Sequence, residues 1–235
     1  MNITFLFLAV IAAIVAWWLA QQRLTAKPWL EAGPIGDTGA SSLANAKIGL
    51  GVFLAVVGCL FTLLISAYLM RMEMGEWRPA PPPKLLWLNT GALILSSGAL
   101  HWAQVAARRG KMDSVRAGLL AGGVFALAFL AGQLIAWRQL DSAGYYMTAN
   151  PAAAFFYLIT GVHGLHLLGG LVALGRTMDQ AWQGVAVGEA RLSVELCAIY
   201  WHFLLLVWLA LFSLLLLTDP IVSDGGLVSL ICRVL

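Results

Sequence analysis

Four histidines and one glutamate are the residues of this sequence whose types and spacing could do chemistry: His101, His163, His166, His202 and Glu195. All five fall inside, or at the edge of, long apolar runs. His163 and His166 stand three apart, so on a helix they share a face, with Gly161, Gly164, Gly169 and Gly170 allowing a neighbouring helix to approach. Two histidines on one face could ligate a metal or a haem. Such a site also needs converging carboxylates or carbonyls to orient the imidazoles, and the apolar runs offer one carboxylate in total. Hydrogen bonding between helices is therefore the role expected for the pair. Glu195 and His202 are seven apart, two helical turns, and project from nearly the same side. They could relay protons. The reading preferred is an interfacial Glu195, with Glu189 and Arg191 just before it, paired to a histidine or backbone group of an adjacent helix. Tyr200, Trp201 and Trp208 suit helix interfaces better than a cofactor stack.

The elements that must position these residues are membrane helices. Of 235 residues, 61% are hydrophobic and 11% charged, with mean hydropathy +0.86. A soluble domain carries about 25% charged residues. Six apolar runs, near 3–20, 47–70, 85–107, 116–138, 152–175 and 192–217, reach or approach the ~20 residues that cross a hydrocarbon layer. The fold class expected is all-α, a polytopic helical bundle of about six transmembrane helices. The stretch Gln21 to Ala46, holding Pro28, Gly33, Pro34, Gly36 and Gly39, should run as irregular chain along the surface. The first run lacks a basic leader and a small-residue cleavage site, so it reads as a retained anchor. The tail after Asp219 and Pro220 ends in LVSLICRVL, too short to span, and is expected at the interface or against a neighbour.

Charge sets orientation. Assigning the 14 Lys and Arg to alternating sides places nine on one face and five on the other. Basic residues concentrate on the cytoplasmic side, so both termini are expected on the periplasmic or equivalent outer face. Arg23, Lys27, Arg108 and Arg109 at one interface and Arg71 at the other could hold lipid phosphates or anchor helix ends. The net charge of +3 is small and spread over loops, which argues against a nucleic-acid partner. Cys59, Cys197 and Cys232 have no ligand or disulfide spacing and read as helix-packing residues. Neither an internal repeat nor paired broken helices of the secondary-transporter kind stand out, although a small-solute path lined by His163, His166 and Glu195 stays open as an alternative.

Two segments carry more than composition does. FFYLITGVHGLHLLGGLVAL, Phe155 to Leu174, resembles the Thr-Gly-x-His-Gly-x-His element of haem-copper oxidase subunit III, here Thr160, Gly161, His163, Gly164 and His166. VELCAIYWHFLLLVWLALF, Val194 to Phe212, is similar to that family's Glu followed by Tyr-Trp-His-Phe, here Glu195, Tyr200, Trp201, His202 and Phe203. Lys47, Gly49, Phe53 and Tyr68, then NTGALILSSGALHWA at Asn89 to Ala103, and Gln133 fit the preceding helices. The resemblance covers residues 47–217 and implies three parts: an N-terminal helix and linker (1–46), a five-helix core (47–217) and a tail (218–235).

The resemblance further implies a subunit without cofactors of its own, in a complex that reduces dioxygen to water and translocates protons. The haems and copper would lie in partner subunits I and II. Subunits I and II and phospholipids would be its partners, and the bacterial inner (plasma) membrane its location. His101, His163, His166, Glu195, Trp201 and His202 would serve packing or lipid contact. Longer relatives have two helices before the core, bounding a lipid-filled cleft; this chain has one. Where many relatives carry acids it has Val57, Ala136 and Leu205, which points to structural and lipid-holding work more than proton handling. A subunit III-like protein attached to a nitric oxide reductase is the alternative within the family.

Overall fold

The computed structural model describes residues 38–72, 77, 83–147, 150–183 and 187–217. The first apolar run, Arg23, Lys27, Arg78 and the tail lie outside the described residues. Leu43–Leu235 forms one compact unit, and Met1–Ser42 is a second, of which the helical backbone from Thr38 is described. The described residues form five helices and no strand: α1 Thr38–Met72, α2 Leu85–Arg108, α3 Met112–Ser142, α4 Pro151–Gln183 and α5 Val187–Leu217. The fold is an all-α membrane bundle.

Among the described residues, four segments are long and apolar enough to cross a membrane: Asn45–Met72, Met112–Ser142, Pro151–Gln183 and Arg191–Leu216. With 24 residues, about 36 Å at 1.5 Å per residue, α2 is long enough to span but holds no stretch as apolar as those four segments. Its polar residues explain this. Asn89, Thr90, Ser96 and Ser97 are all buried against protein, and Asn89, Thr90 and Ser96 each share a hydrogen bond with another helix, which suits a low-dielectric interior.

The helices outrun the apolar segments that reveal them. α1 begins at Thr38, so Thr38–Ala46 is helix where irregular chain is expected from the Gly and Pro content. The breakers Pro28, Gly33, Pro34 and Gly36 all precede it. Gly39 falls in its first turn, and Ala40, Leu43, Ala44 and Ala46 are good helix formers. Likewise α4 continues to Gln183 and α5 starts at Val187. Hydropathy marks the hydrocarbon, whereas helix continues until a turn or cap stops it.

Those stops are local. After α2, Gly110 takes φ +70°, a left-handed conformation suited to glycine, while Lys111 N–H returns to Ala106 O at 3.1 Å. The result is a tight antiparallel hairpin of α2 and α3. After α3, Gly144 at φ +88° ends the helix in the same way, with Tyr145 N–H on Leu140 O at 3.1 Å. Asn150 then caps α4, its Oδ1 accepting from Ala153 N–H at 3.0 Å, with Pro151 at the first helical position. Arg116 joins the start of α3 to the end of α4, both Nε and Nη2 donating to Ala181 O at 3.2 and 3.1 Å.

The closest helix contact is α2 against α3. A Cβ on Gly118 would sit 2.8 Å from Ala103 Cβ and 3.0 Å from Ala99 O. On Gly122 it would meet Leu100, and on Gly132 it would fall on the Asn89 amide. Small residues every turn or so let these two backbones approach where no water-driven force holds helices together. α1, by contrast, reaches the rest through large side chains: among its described side chains, Leu54, Val57, Phe61, Ile65 and Tyr68 form the buried stripe.

Candidate functional site

The hydrogen bonds that α2 shares with its neighbours lie on two levels of the bundle. At one level Trp201 Nε1 donates to Ser96 Oγ at 2.9 Å, and Ser96 donates on to Gly122 O at 2.7 Å. Three helices, α5, α2 and α3, are thus tied by one chain of hydrogen bonds. At the other level Trp208 Nε1 donates to Thr90 Oγ1 at 3.0 Å, which turns back to Leu86 O at 2.8 Å. Beside it Asn89 Nδ2 donates to Gln133 Oε1 at 3.3 Å. Spacing accounts for the two levels: Thr90 and Ser96 lie nearly two turns apart on α2, as do Trp201 and Trp208 on α5.

His163 lies at the second level and is fully buried. Its ring is surrounded by Phe61 of α1, Phe129 of α3 and Trp208 of α5, at centroid distances of 6.1, 5.8 and 5.2 Å. Neither of its ring nitrogens has a hydrogen-bond partner among the described residues. The hydrogen-bonding role expected for it is therefore not what the geometry gives: His163 packs as an aromatic ring among rings. His166 shares its face, as the spacing requires, since both rings meet Phe61. Its Nδ1 donates to Val162 O of its own helix at 2.8 Å, so it too makes no bond to another helix through its ring. The interhelical bond at this point comes from Tyr200, whose hydroxyl donates to His166 O at 2.8 Å. Gly170 makes room for it: a Cβ there would lie 2.7 Å from the Tyr200 ring and 2.9 Å from that of Trp201.

Glu195 also differs from expectation. Its partner is the Lys47 ammonium of α1 at 3.0 Å, and not a histidine or a backbone group. The pair is separated by 148 residues in sequence and is partly exposed, with side chains 43% and 24% accessible. Such pairs stabilise by at most about 1 kcal/mol. Lys47→Glu is expected to lower thermal stability slightly and Lys47→Glu with Glu195→Lys to recover it; equal loss in both variants would mean the two groups are uncoupled.

His202 lies on the outer side of α5, two turns from Glu195, with Nδ1 bonded to Ala198 O. Its ring meets His101 of α2 edge-on, with centroids 5.7 Å apart. Trp201 is buried and central. Arg71 ends α1 half-buried, and Arg108 and Arg109 are exposed at the end of α2. Cys197 is buried as a packing residue, whereas Cys59 is exposed on α1, contrary to the packing role expected; Cys232 lies outside the described residues. Val57 and Ala136, where many members of the resembled family carry acids, are buried at 3% and 0% exposure.

The bonds that tie the helices thus fall largely to residues that the search for ionisable groups passes over: Thr90, Ser96, Asn89 and Trp208. Their signal is the placing of Asn89, Thr90, Ser96 and Ser97 on one face of an otherwise apolar run. Among the described residues, no three His, Cys, Asp or Glu side chains come together as a metal-holding group.

Comparison with known proteins gives the same family. The family model described as cytochrome c oxidase subunit III matches residues 3–217. The cytochrome c oxidase subunit 3 of Thermostichus vulcanus is 34% identical over 173 residues, covering 72% of this chain and 85% of that one. That of Synechocystis sp. is 32% identical over 178 residues, covering 72% and 74%. A probable cytochrome c oxidase subunit 3 of Mycobacterium bovis is 31% identical over 144 residues, covering 60% and 71%. With the family model running through all five described helices, and the two histidine-bearing segments in the last two of them, this chain belongs to the cytochrome c oxidase subunit III family.

Proposed function

We propose that this chain is the non-catalytic third subunit of a proton-translocating haem-copper oxidase in a bacterial plasma membrane. Its termini would lie on the outer face and its partners would be subunits I and II, which carry the haems and copper. The observation that carries this reading is the match of the family model along residues 3–217, with relatives whose printed names are cytochrome c oxidase subunit 3. The interior supports a structural part in the complex. Its polar side chains are used in tying helices together, and His163 is enclosed by rings. The chain restrains the flank of the catalytic subunit and holds lipid there, with His101, His166 and His202 near lipid or protein surfaces and Arg71, Arg108 and Arg109 at headgroup level.

The test is deletion of the chain followed by spectra and turnover of the remaining complex. Haem spectra are expected to stay unchanged while activity decays faster during sustained turnover or the assembled complex falls in yield. Loss of a haem or copper signal in proportion to loss of the chain would refute the accessory role. Purification through a tag on the full chain identifies the company it keeps: oxidase subunits I and II support the proposal, and nitric oxide reductase subunits replace it with the other family reading.

A further inference from the structure

The outer surface of the bundle is of two kinds. The outward residues of α3 from Ala117 to Ile135 and of α4 from Leu158 to Ala173 are all Gly, Ala, Val, Leu or Ile. These faces suit hydrocarbon. The outward face shared by α2 and α5 instead carries His101 and His202, both exposed, side by side at 5.7 Å. At 1.5 Å per residue His101 lies about 10 Å along its helix from Arg108, and His202 about 16 Å from Arg191, so both are at hydrocarbon depth. Ionisable residues at that depth nearly always face protein or a water-filled cavity, because lipid tails offer nothing to bond.

The bonding state of the pair says what it lacks. A carbonyl can only accept, so His202 Nδ1 donates to Ala198 O, and in the neutral ring Nε2 then keeps a lone pair. His101 makes no hydrogen bond among the described residues. The pair therefore presents at least one acceptor and one donor outward. On the same faces of the two helices, Ile94 and Leu206 are exposed, and Gly98 is open, since a Cβ there would meet nothing within 4 Å. An incoming backbone could come close.

We infer that the α2–α5 face is an interface between subunits: it receives a membrane-spanning helix of another protein, which brings an amide, hydroxyl or carboxyl side chain to the depth of His101 and His202. Lipid is the less suitable occupant because α3 and α4 of the same molecule show what a lipid-facing surface here is made of. The inference rests on the proposed membership of a multisubunit complex and adds which side of the chain makes the contact.

The experiment places a photo-crosslinking phenylalanine analogue in the tagged full chain, within the assembled complex, at Ile94 or Leu206 and, as controls of similar exposure, at Leu127 or Leu168. These positions are 48%, 42%, 57% and 50% exposed. Ile94 and Leu206 are expected to give adducts to a different subunit at several-fold higher yield than the controls. Equal yields on the two faces, adducts to lipid alone, or adducts only to a second copy of this chain would overturn the inference. A chain that purifies without any haem-bearing partner would instead defeat the proposed function, a result read from the purification before any crosslink. In a second arm, His101→Leu with His202→Leu is expected to release the chain several-fold faster from the detergent-solubilised complex at unchanged membrane abundance. Unchanged release would also count against the histidine pair as the feature recognised.

Discussion

Trp208→Ala is expected to cost about 3–5 kcal/mol, the range for removing a buried aromatic side chain and leaving a cavity. The indole is fully buried, meets Phe129 at 4.8 Å and His163 at 5.2 Å, and stacks on Phe212 at 6.4 Å. Its Nε1 also holds Thr90. Trp208→Phe separates these contributions. It keeps a ring but loses the bond, which in membrane bundles averages about 0.6 kcal/mol. The check is unfolding of the purified chain in mixed detergent, followed by circular dichroism. If Phe and Ala variants lost stability equally, the hydrogen bond would dominate, and the packing account of this level of the bundle would be wrong.

The second large effect is expected at Gly118. Gly→Ala in a helix interior normally gains about 1 kcal/mol. At Gly118 the new methyl would press on Ala103 and on the backbone oxygen of Ala99, neither of which can turn away. Overpacking of this kind costs about 1–3 kcal/mol, and more for Val. Gly122→Ala would press on the flexible Leu100 side chain, 2.8 Å from its Cγ, and should cost less. Gly175, with nothing within 4 Å, should tolerate alanine or gain from it. The expected order of stability loss is thus Gly118→Val, Gly118→Ala, Gly122→Ala, Gly175→Ala. Equal behaviour at 118 and 175 would show that α2 and α3 do not pack as closely as their backbones indicate.

Much of this architecture was readable from residue order. Apolar runs located all five described helices, because a bilayer leaves a long hydrophobic signature. The motif around His163 and His166 placed the two on one face, where both rings meet Phe61. What those rings do was not readable. A histidine in an apolar run suggests a hydrogen bond, yet at His163 three aromatic rings from three other helices converge, and that convergence depends on tertiary packing. Glu195 illustrates the same limit. Its nearest charged neighbours in sequence are Glu189 and Arg191, but its partner Lys47 comes from a helix 148 residues away. Helix ends were also missed, at Thr38 above all, because hydropathy reports the solvent and Gly and Pro report only where helix is disfavoured. The α2–α5 surface needed both kinds of information: the sequence gives the two histidines, and only the fold shows that they emerge together on the outside.

The polar interior of α2 bears on how the chain is made. Alone, a segment carrying Asn89 and Ser96 would enter lipid with bonds unmade, a cost that its modest apolarity offsets poorly. Its satisfying groups, the Gln133 amide and the Gly122 carbonyl, arrive on the next helix to be synthesised, joined by the short turn at Gly110. The two segments are thus suited to leave the insertion machinery as a paired hairpin, with α2 waiting on α3 before it commits to the bilayer.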